Sequence, residues 1–170
     1  DKRATLKAGL VGALWRERDA LRACSHAWVV GLDYALQDEH SVYLLTSWAA
    51  GGDAYALTRQ KGALPLGRCR ALIAQVAIAL GHLHERGLLH RDVKPDNVLL
   101  TSSGDAMLAD LGAACHAAHT APANAARRRR RRSLPGTHGY RAPELFDATY
   151  GEEVDWWGVG LLVWELLTGR

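Results

Sequence analysis

The residues best equipped for chemistry lie in His90-Arg91-Asp92-Val93-Lys94-Pro95-Asp96-Asn97 and in Asp110-Leu111-Gly112, thirteen residues further on. Asp92 offers a carboxylate that can accept a proton, Lys94 a cation for phosphate charge, and Asn97 and Asp110 hard oxygen atoms of the kind that magnesium prefers. That combination suits the orientation of a hydroxyl nucleophile beside a magnesium–phosphate group. A lone aspartate in a turn is usually a cap, and Asp96 and Asp105 are read that way, but Asp92, Asn97 and Asp110 together are not. His90 is read as a packing residue rather than a base. His82, His84, His116, His119 and His138 show no three-ligand spacing, so a metal role for them is not expected.

Such groups need rigid elements to hold them, and the surrounding pattern supplies some. Leu10 to Cys24 has Leu10, Leu14, Leu21 and Cys24 at helical spacing. Val29 to Leu36 and Ser41 to Trp48 read as strands joined by the turn Gln37-Asp38-Glu39-His40, and Gly51-Gly52 stops the second. Asp53 to Arg59 is short and helix-compatible. From Pro65 to Arg86, the residues Leu72, Ile73, Val76, Ala79, Leu80 and Leu83 recur on one face, and Gly87 follows as a stop. Val98 to Leu100 and Ala106 to Ala109 form a second hairpin around Ser102-Ser103-Gly104-Asp105. Ala113 to Ser133 has little apolar periodicity and reads as a long loop. Val154 to Leu167 reads as an apolar helix buried on most sides, with Trp156, Trp157 and Trp164 in packing roles. Asp1 to Lys7 shows no capping pattern. The order of elements predicts an α+β fold.

Composition narrows the setting. The 170 residues are 48% hydrophobic and 23% charged, which excludes a collagen-like, disordered or disulfide-scaffold chain. The net charge is +3, but six positive charges sit in Arg127 to Arg132, without which it becomes −3. Cys24, Cys69 and Cys115 form no close pair, and a reducing compartment is the expected setting, cytoplasmic with the nucleus as the alternative. The most apolar stretches, Ala71 to Leu80 and Val159 to Leu167, are about half the length that crosses a bilayer. No membrane association is expected.

The stretch from His90 to Asn97 resembles the catalytic loop of eukaryotic protein kinases, and Asp110-Leu111-Gly112 resembles their metal-binding triplet, with leucine where phenylalanine is usual. Other blocks follow in order. Gly136-Thr137-His138-Gly139-Tyr140-Arg141-Ala142-Pro143-Glu144 resembles the close of the activation loop. Asp155-Trp156-Trp157-Gly158 resembles the start of the central large-lobe helix, and Leu83-His84 before Gly87 also fits. Val42 to Trp48 with Ala50-Gly51-Gly52-Asp53 resembles the last small-lobe strand, the hinge and the ribose-facing acid. The resemblance covers essentially the whole chain.

The resemblance implies a two-lobe kinase fold truncated at both ends: residues 1–48 in a partial small lobe, 49–53 as hinge, and 54–170 in a partial large lobe with an activation loop at 110–144. It implies ATP and Mg²⁺ as cofactors and a protein as substrate. Asp92, Lys94, Asn97 and Thr137 take the catalytic positions, with Asn97 and Asp110 as metal ligands. Glu17, Thr46, Ser47, Trp48, Ala49, Asp53, Leu99 and Asp110 take nucleotide-facing positions, Thr46 as gatekeeper. Leu21, Leu32, His90 and Leu111 are expected to stack as a spine anchored by Asp155. Lys94, two residues after Asp92, resembles the serine/threonine group, and the Trp156-Trp157 pair resembles its AGC branch.

Departures from the pattern leave a second reading open. No Gly-x-Gly-x-x-Gly loop is present, and Lys2 and Lys7 resemble the link after the strand that carries the ATP-positioning lysine. The chain therefore reads as an excerpt, also lacking the later large-lobe helices. The intact parent is expected to transfer the ATP γ-phosphate to protein Ser/Thr hydroxyls, whereas the excerpt alone is not expected to be active. The alternative is a catalytically inactive kinase-like interaction module with an arginine-rich regulatory loop. Ser133 resembles the activation phosphosite, its phosphate pairing with Arg91 after an upstream kinase has acted. Arg127 to Arg132 is compatible with a solvated loop, a regulatory or kinase-recognition role, or binding to nucleic acid or an import receptor; no dedicated nucleic-acid partner is expected.

Overall fold

The structure, a computed structural model, describes residues 1–117, 136–146 and 150–170. The chain opens with two helices, α1 (Lys2–Lys7) and α2 (Val11–Ala23). Contrary to the sequence expectation, Asp1 does cap α1, its carboxylate accepting from the Ala4 N–H at 2.7 Å. Sequence patterning missed this helix because none of its residues is buried, so no apolar stripe marks it. In α2, Ala20 and Leu21 turn into the core.

Strands β1 (Leu32–Gln37) and β2 (Val42–Thr46) pair antiparallel, with Leu36 opposite Tyr43 and Gln37 opposite Val42. Asp38 makes their turn by accepting from the His40 and Ser41 N–H groups, each at 2.7 Å, and from the Tyr43 hydroxyl at 2.8 Å. Helix α1 docks on this turn: the Lys2 N–H donates to the His40 carbonyl at 2.8 Å, and the Lys2 ammonium donates to the Asp38 carbonyl.

Helix α3 (Ala54–Lys61) leads to α4 (Leu66–His84), which buries Cys69, Leu72, Val76, Ala79, Leu80 and Leu83. The expected stripe is therefore the one that packs, and each leucine fully withdrawn from water contributes about 1.5–3 kcal/mol. Length and hydropathy alone would let α4 cross a membrane, but its apolar face is spent on this core. Strands β4 (Val98–Leu100) and β5 (Ala106–Leu108) form the second expected hairpin. Gln75 of α4 braces it, donating to Asp105 at 2.8 Å and accepting from the Ala106 N–H at 2.7 Å. Asp105 thus serves its turn, whereas Asp96 is exposed in a 3-10 turn and has no capping hydrogen bond among the described residues.

Two very short strands were not legible in the sequence. β3 (Leu88–Leu89) pairs antiparallel with β6 (Cys115–His116), so the segment after Ala113 begins as ordered backbone rather than as the expected loop. A strand of two residues has no periodicity to read. The last helix, α5 (Glu153–Thr168), buries Val154, Asp155, Gly158, Val159, Leu162 and Leu166. It is not buried on most sides, because Trp156, Trp157 and Trp164 stay 44%, 46% and 53% exposed.

These pieces meet in one large cluster that includes Leu21, Leu72, Leu80, Leu108, Leu111 and Leu162. A parallel bridge between Val29 and Leu108 ties the chain after α2 to β5, and an antiparallel one between Asp53 and Leu99 ties the start of α3 to β4. β5 leads directly to Asp110, and β4 follows directly from Asn97.

Candidate active site

His90 to Asn97 runs between β3 and β4 and is held from beneath by Asp155, which is fully buried in the first turn of α5. Asp155 accepts from the His90 N–H at 2.9 Å, the Arg91 N–H at 2.6 Å and His84 Nε2 at 2.8 Å. Gly158, one turn on, lets α5 approach the same loop: a β-carbon there would stand 2.9 Å from both the Val93 carbonyl oxygen and its Cβ.

The His90 ring is wholly buried, with Nδ1 accepting from the Asp92 N–H at 3.3 Å and Nε2 facing the Ala109 carbonyl at 3.0 Å. The ring is therefore a strut between Asp92 and the residue before Asp110, in keeping with a packing role. Leu21 and Leu111 are buried in the main cluster and Leu32 packs against it. Both loops carry a non-glycine residue in the left-handed region, Arg91 at φ 67° and Asp110 at φ 62°. Such residues cost about 1–3 kcal/mol each and persist where surrounding structure enforces them.

Asp92 is the best-connected group. Its Oδ1 accepts from the Thr137 N–H at 2.7 Å, and its Oδ2 accepts from Asn97 Nδ2 at 3.1 Å and lies 3.2 Å from the Lys94 ammonium. Lys94 also donates to Thr137 Oγ1 at 2.7 Å, and Asn97 Nδ2 to the Asp92 carbonyl at 2.8 Å. Burial by itself would push the Asp92 carboxyl up, but hydrogen bonds from Thr137 and the Lys94 cation outweigh it and hold it below the usual carboxylate range. All four predicted catalytic residues thus share one hydrogen-bonded knot.

Thr137 reaches Asp92 because Gly136 precedes it. Gly136 sits at φ 79°, and a β-carbon there would run into the Arg91 carbonyl oxygen. Arg141 clamps the Gly136 carbonyl from the other side, Nη2 donating at 2.8 Å. Tyr140 donates its hydroxyl to Glu165 of α5; burial, Glu165 and the more distant Asp96 and Tyr55 push the phenol up.

Asp110 stands beside this knot, tethered by the Ala109 N–H donating to the Asn97 carbonyl at 2.8 Å. Its Oδ1 accepts from the Gly112 N–H at 3.1 Å. Glu17 of α2 comes to the same turn, its Oε2 3.6 Å from where a β-carbon on Gly112 would lie. Burial, then the Asp110 charge, pushes the Glu17 carboxyl up. Asn97 spends its amide N–H₂ on Asp92, which leaves its oxygen as the ligand it can offer. Asn97 Oδ1 and the exposed Asp110 carboxylate are a fitting hard-oxygen pair for Mg²⁺, which takes few protein ligands and completes its shell with phosphate and water.

The nucleotide-facing residues divide into groups. Ala49 and Leu99 pack with Val30, Met107 and Ala109 in a small apolar cluster immediately before Asp110. Ser47 donates its N–H to the Gly31 carbonyl at 3.0 Å. Thr46, at the end of β2, is exposed and lines an open concavity with Asp33, Tyr34 and Leu45. Trp48 is 87% exposed and stays outside the apolar cluster. Asp53 has a duty that sequence reasoning missed: its Oδ1 caps α3 by accepting from the Ala56 N–H at 2.6 Å. The signal was present, since aspartate directly before a helix is a favoured cap. Arg91 donates Nε–H to the Ala113 carbonyl at 2.8 Å and Nη1–H to the Tyr150 hydroxyl at 2.8 Å. Ser133 and Arg127 to Arg132 lie outside the described residues.

A loop that fixes a buried carboxylate, a lysine and an asparagine around one threonine, with a second carboxylate alongside, is the phosphotransfer arrangement of protein kinases. The protein kinase domain family model matches residues 2–170, and the chain belongs to that family. It is 34% identical over 155 residues to the serine/threonine-protein kinase AtPK1/AtPK6 of Arabidopsis thaliana, a match spanning 91% of this chain and 32% of the relative. It is 38% identical over 160 residues to Rho-associated protein kinase 1 of Homo sapiens, spanning 91% of this chain and 11% of the relative. Serine/threonine-protein kinase MRCK gamma of Mus musculus is 35% identical over 172 residues, spanning 97% and 11%. The chain thus spans about a third of the plant relative and about a ninth of the other two.

Proposed function

We propose that this chain carries the phosphotransfer centre of a serine/threonine protein kinase, which moves the γ-phosphate of ATP to Ser or Thr hydroxyls of protein substrates. The observation that carries this reading is the Asp92 carboxylate, held ionised and fixed by Thr137, Asn97 and Lys94. Asp92 orients the incoming hydroxyl and takes its proton, and Lys94 offsets charge on the transferred group. Asn97 and Asp110 would hold Mg²⁺, and Ala49 and Leu99 would offer an apolar surface to the adenine. When bound, Mg–ATP supplies an activated phosphoryl group with part of its charge neutralised. Lys94 in place two residues after Asp92, bonded to Thr137, supports hydroxyls of Ser and Thr rather than Tyr.

An upstream kinase acting on Ser133 fits this reading through Arg91, whose guanidinium a phosphate would share with Ala113 and Tyr150. The three free cysteines support a reducing, cytoplasmic or nuclear setting. A second reading, a catalytically inactive kinase-like interaction module, draws on Glu17. Among the described residues, the charge that faces it is the Asp110 carboxylate rather than a cation.

The test is transfer of labelled phosphate from ATP by the protein that carries this chain. Asp92→Asn and Asp110→Ala are each expected to abolish transfer while circular dichroism stays native. Wild-type-like activity in either overturns the assignment, and ATP binding without transfer by the unaltered protein establishes the second reading.

A further inference from the structure

The C-terminal end of α2 and the last turns of α4 meet through two imidazoles and a guanidinium. Arg86 donates Nε–H to the Ala23 carbonyl at 3.2 Å and Nη1–H to the His82 carbonyl at 3.1 Å, and Nη1 also lies 3.1 Å from His82 Nδ1. Arginine has no acceptor, so His82 Nδ1 must accept and its ring proton must sit on Nε2. That Nε2 is buried and finds no hydrogen-bond partner among the described residues. The His26 ring lies against it, centroids 4.8 Å apart and planes at 37°. His26 Nδ1 is an acceptor as well, taking the Trp28 N–H at 3.2 Å, and the Trp28 ring stands edge-on to it at 5.6 Å. The Trp28 carbonyl in turn accepts from the Leu108 N–H at 2.8 Å.

Both rings therefore work through a lone pair that only a neutral imidazole possesses. A proton on His82 Nδ1 would turn the acceptor of Arg86 into a donor and set two cations in contact. A proton on His26 would do the same to the Trp28 N–H and bring a positive ring against His82. We propose that His26, His82 and Arg86 form a proton-sensitive clasp between the segment after α2 and α4, closed while both rings are neutral and opened when either is charged.

Most of the groups that act on His82 favour the neutral ring. Arg86 in the turn after α4 and His26 on the opposing segment disfavour a charged ring, and Glu85 favours one. Cys24, at the end of α2, is a buried thiol pushed up by desolvation and so stays neutral. Burial first, then Arg86 and His26, hold the His82 ring below the usual imidazole range. The sign follows. As pH falls, the unfolded chain takes its proton near the ordinary histidine value of about 6.5 while the folded ring does not, so stability present above that pH is lost below it. Because α2 carries Glu17 to the Asp110 turn, an open clasp frees the far end of the helix that faces the site.

The test compares thermal unfolding of the full chain at about pH 7.5 and about pH 5.5 with that of His82→Gln, whose side-chain oxygen still accepts from Arg86 but takes no proton. Wild type is expected to lose Tm on acidification, with hydrogen exchange at residues 23–28 rising beyond its intrinsic pH dependence, and His82→Gln is expected to lose most of that response. An equal acid-induced fall in both proteins overturns the clasp. Should His82→Gln not fold, the His82 ring titration followed by NMR in wild type decides. A midpoint below the ordinary imidazole value supports the clasp and an ordinary one overturns it. None of these readouts needs phosphotransfer, so they stand apart from the proposed activity.

Discussion

The Thr137 N–H donates to Asp92 Oδ1 at 2.7 Å across 45 positions of sequence, while the Thr137 hydroxyl receives the ammonium of Lys94, itself 3.2 Å from the same carboxylate. One residue thus fixes both charged groups, holding Asp92 through backbone and side chain and Lys94 through its hydroxyl. Replacing Thr137 by Val keeps the backbone bond and removes what the hydroxyl gives to Lys94 and to the Asp92 carboxylate. A hydrogen bond to a charged group is worth about 1.5–3 kcal/mol, so Thr137→Val is expected to lower kcat about tenfold to a hundredfold with little change in KM for ATP. Thr137→Ser should restore most of it. Steady-state kinetics of the three proteins side by side make the measurement.

Gly136 is constrained on two counts, a positive φ and the nearness of the Arg91 carbonyl. Gly136→Ala is expected to cost at least about 1 kcal/mol of stability, since alanine in the left-handed region is strained before any clash is counted. It should also move Thr137 off Asp92, so activity is expected to fall further than Tm. A variant that loses neither would show that the backbone there can yield.

Asp155 is fully buried and accepts from two backbone N–H groups of the catalytic loop as well as from His84. Asp155→Ala leaves those donors without their acceptor and is expected to destabilise the protein by about 3–5 kcal/mol. Asp155→Asn keeps the shape but places an amide N–H₂ where donors already point, so it should be nearly as damaging. Chemical denaturation of each variant reports the loss directly.

The lowered Asp92 carboxyl makes a prediction about acid. A carboxylate held below its unfolded value of about 3.9 adds stability above that pH and surrenders it as pH falls through the folded value. The acid limb of the activity profile should therefore lie below the ordinary carboxylate range. Lys94→Met removes the cation and one hydrogen bond from the carboxylate, so that limb should shift to higher pH. A limb unmoved by the substitution would assign it to another group.

Legibility in the sequence followed the physics of each element. Helix α4 was plain because Leu72, Val76, Ala79 and Leu83 repeat at helical spacing over about three turns. The catalytic loop was plain for a different reason, since its polar residues form a pattern that packing alone does not require. β3 and β6 were hidden because Leu88–Leu89 finds Cys115–His116 only through the folded chain. The exposure of Trp156, Trp157 and Trp164 was equally hidden, as hydrophobicity says what a residue prefers and not what lies opposite it. Within the site, Asp92, Lys94, Asn97 and Thr137 come together as the resemblance to the kinase catalytic loop implied. The capping duty of Asp53 was legible too, since aspartate directly before a helix is a favoured cap, but the resemblance gave that carboxylate a nucleotide-facing position instead.

Arg91 and Asp110 share the left-handed backbone that glycine or asparagine would adopt at lower cost. A library randomised at these two positions and sorted only for folding should drift toward those cheaper residues, whereas sorting for phosphotransfer should keep Arg91 and Asp110. The two outcomes would separate what the chain keeps in order to fold from what it keeps in order to work, and they place that boundary within the same short turns.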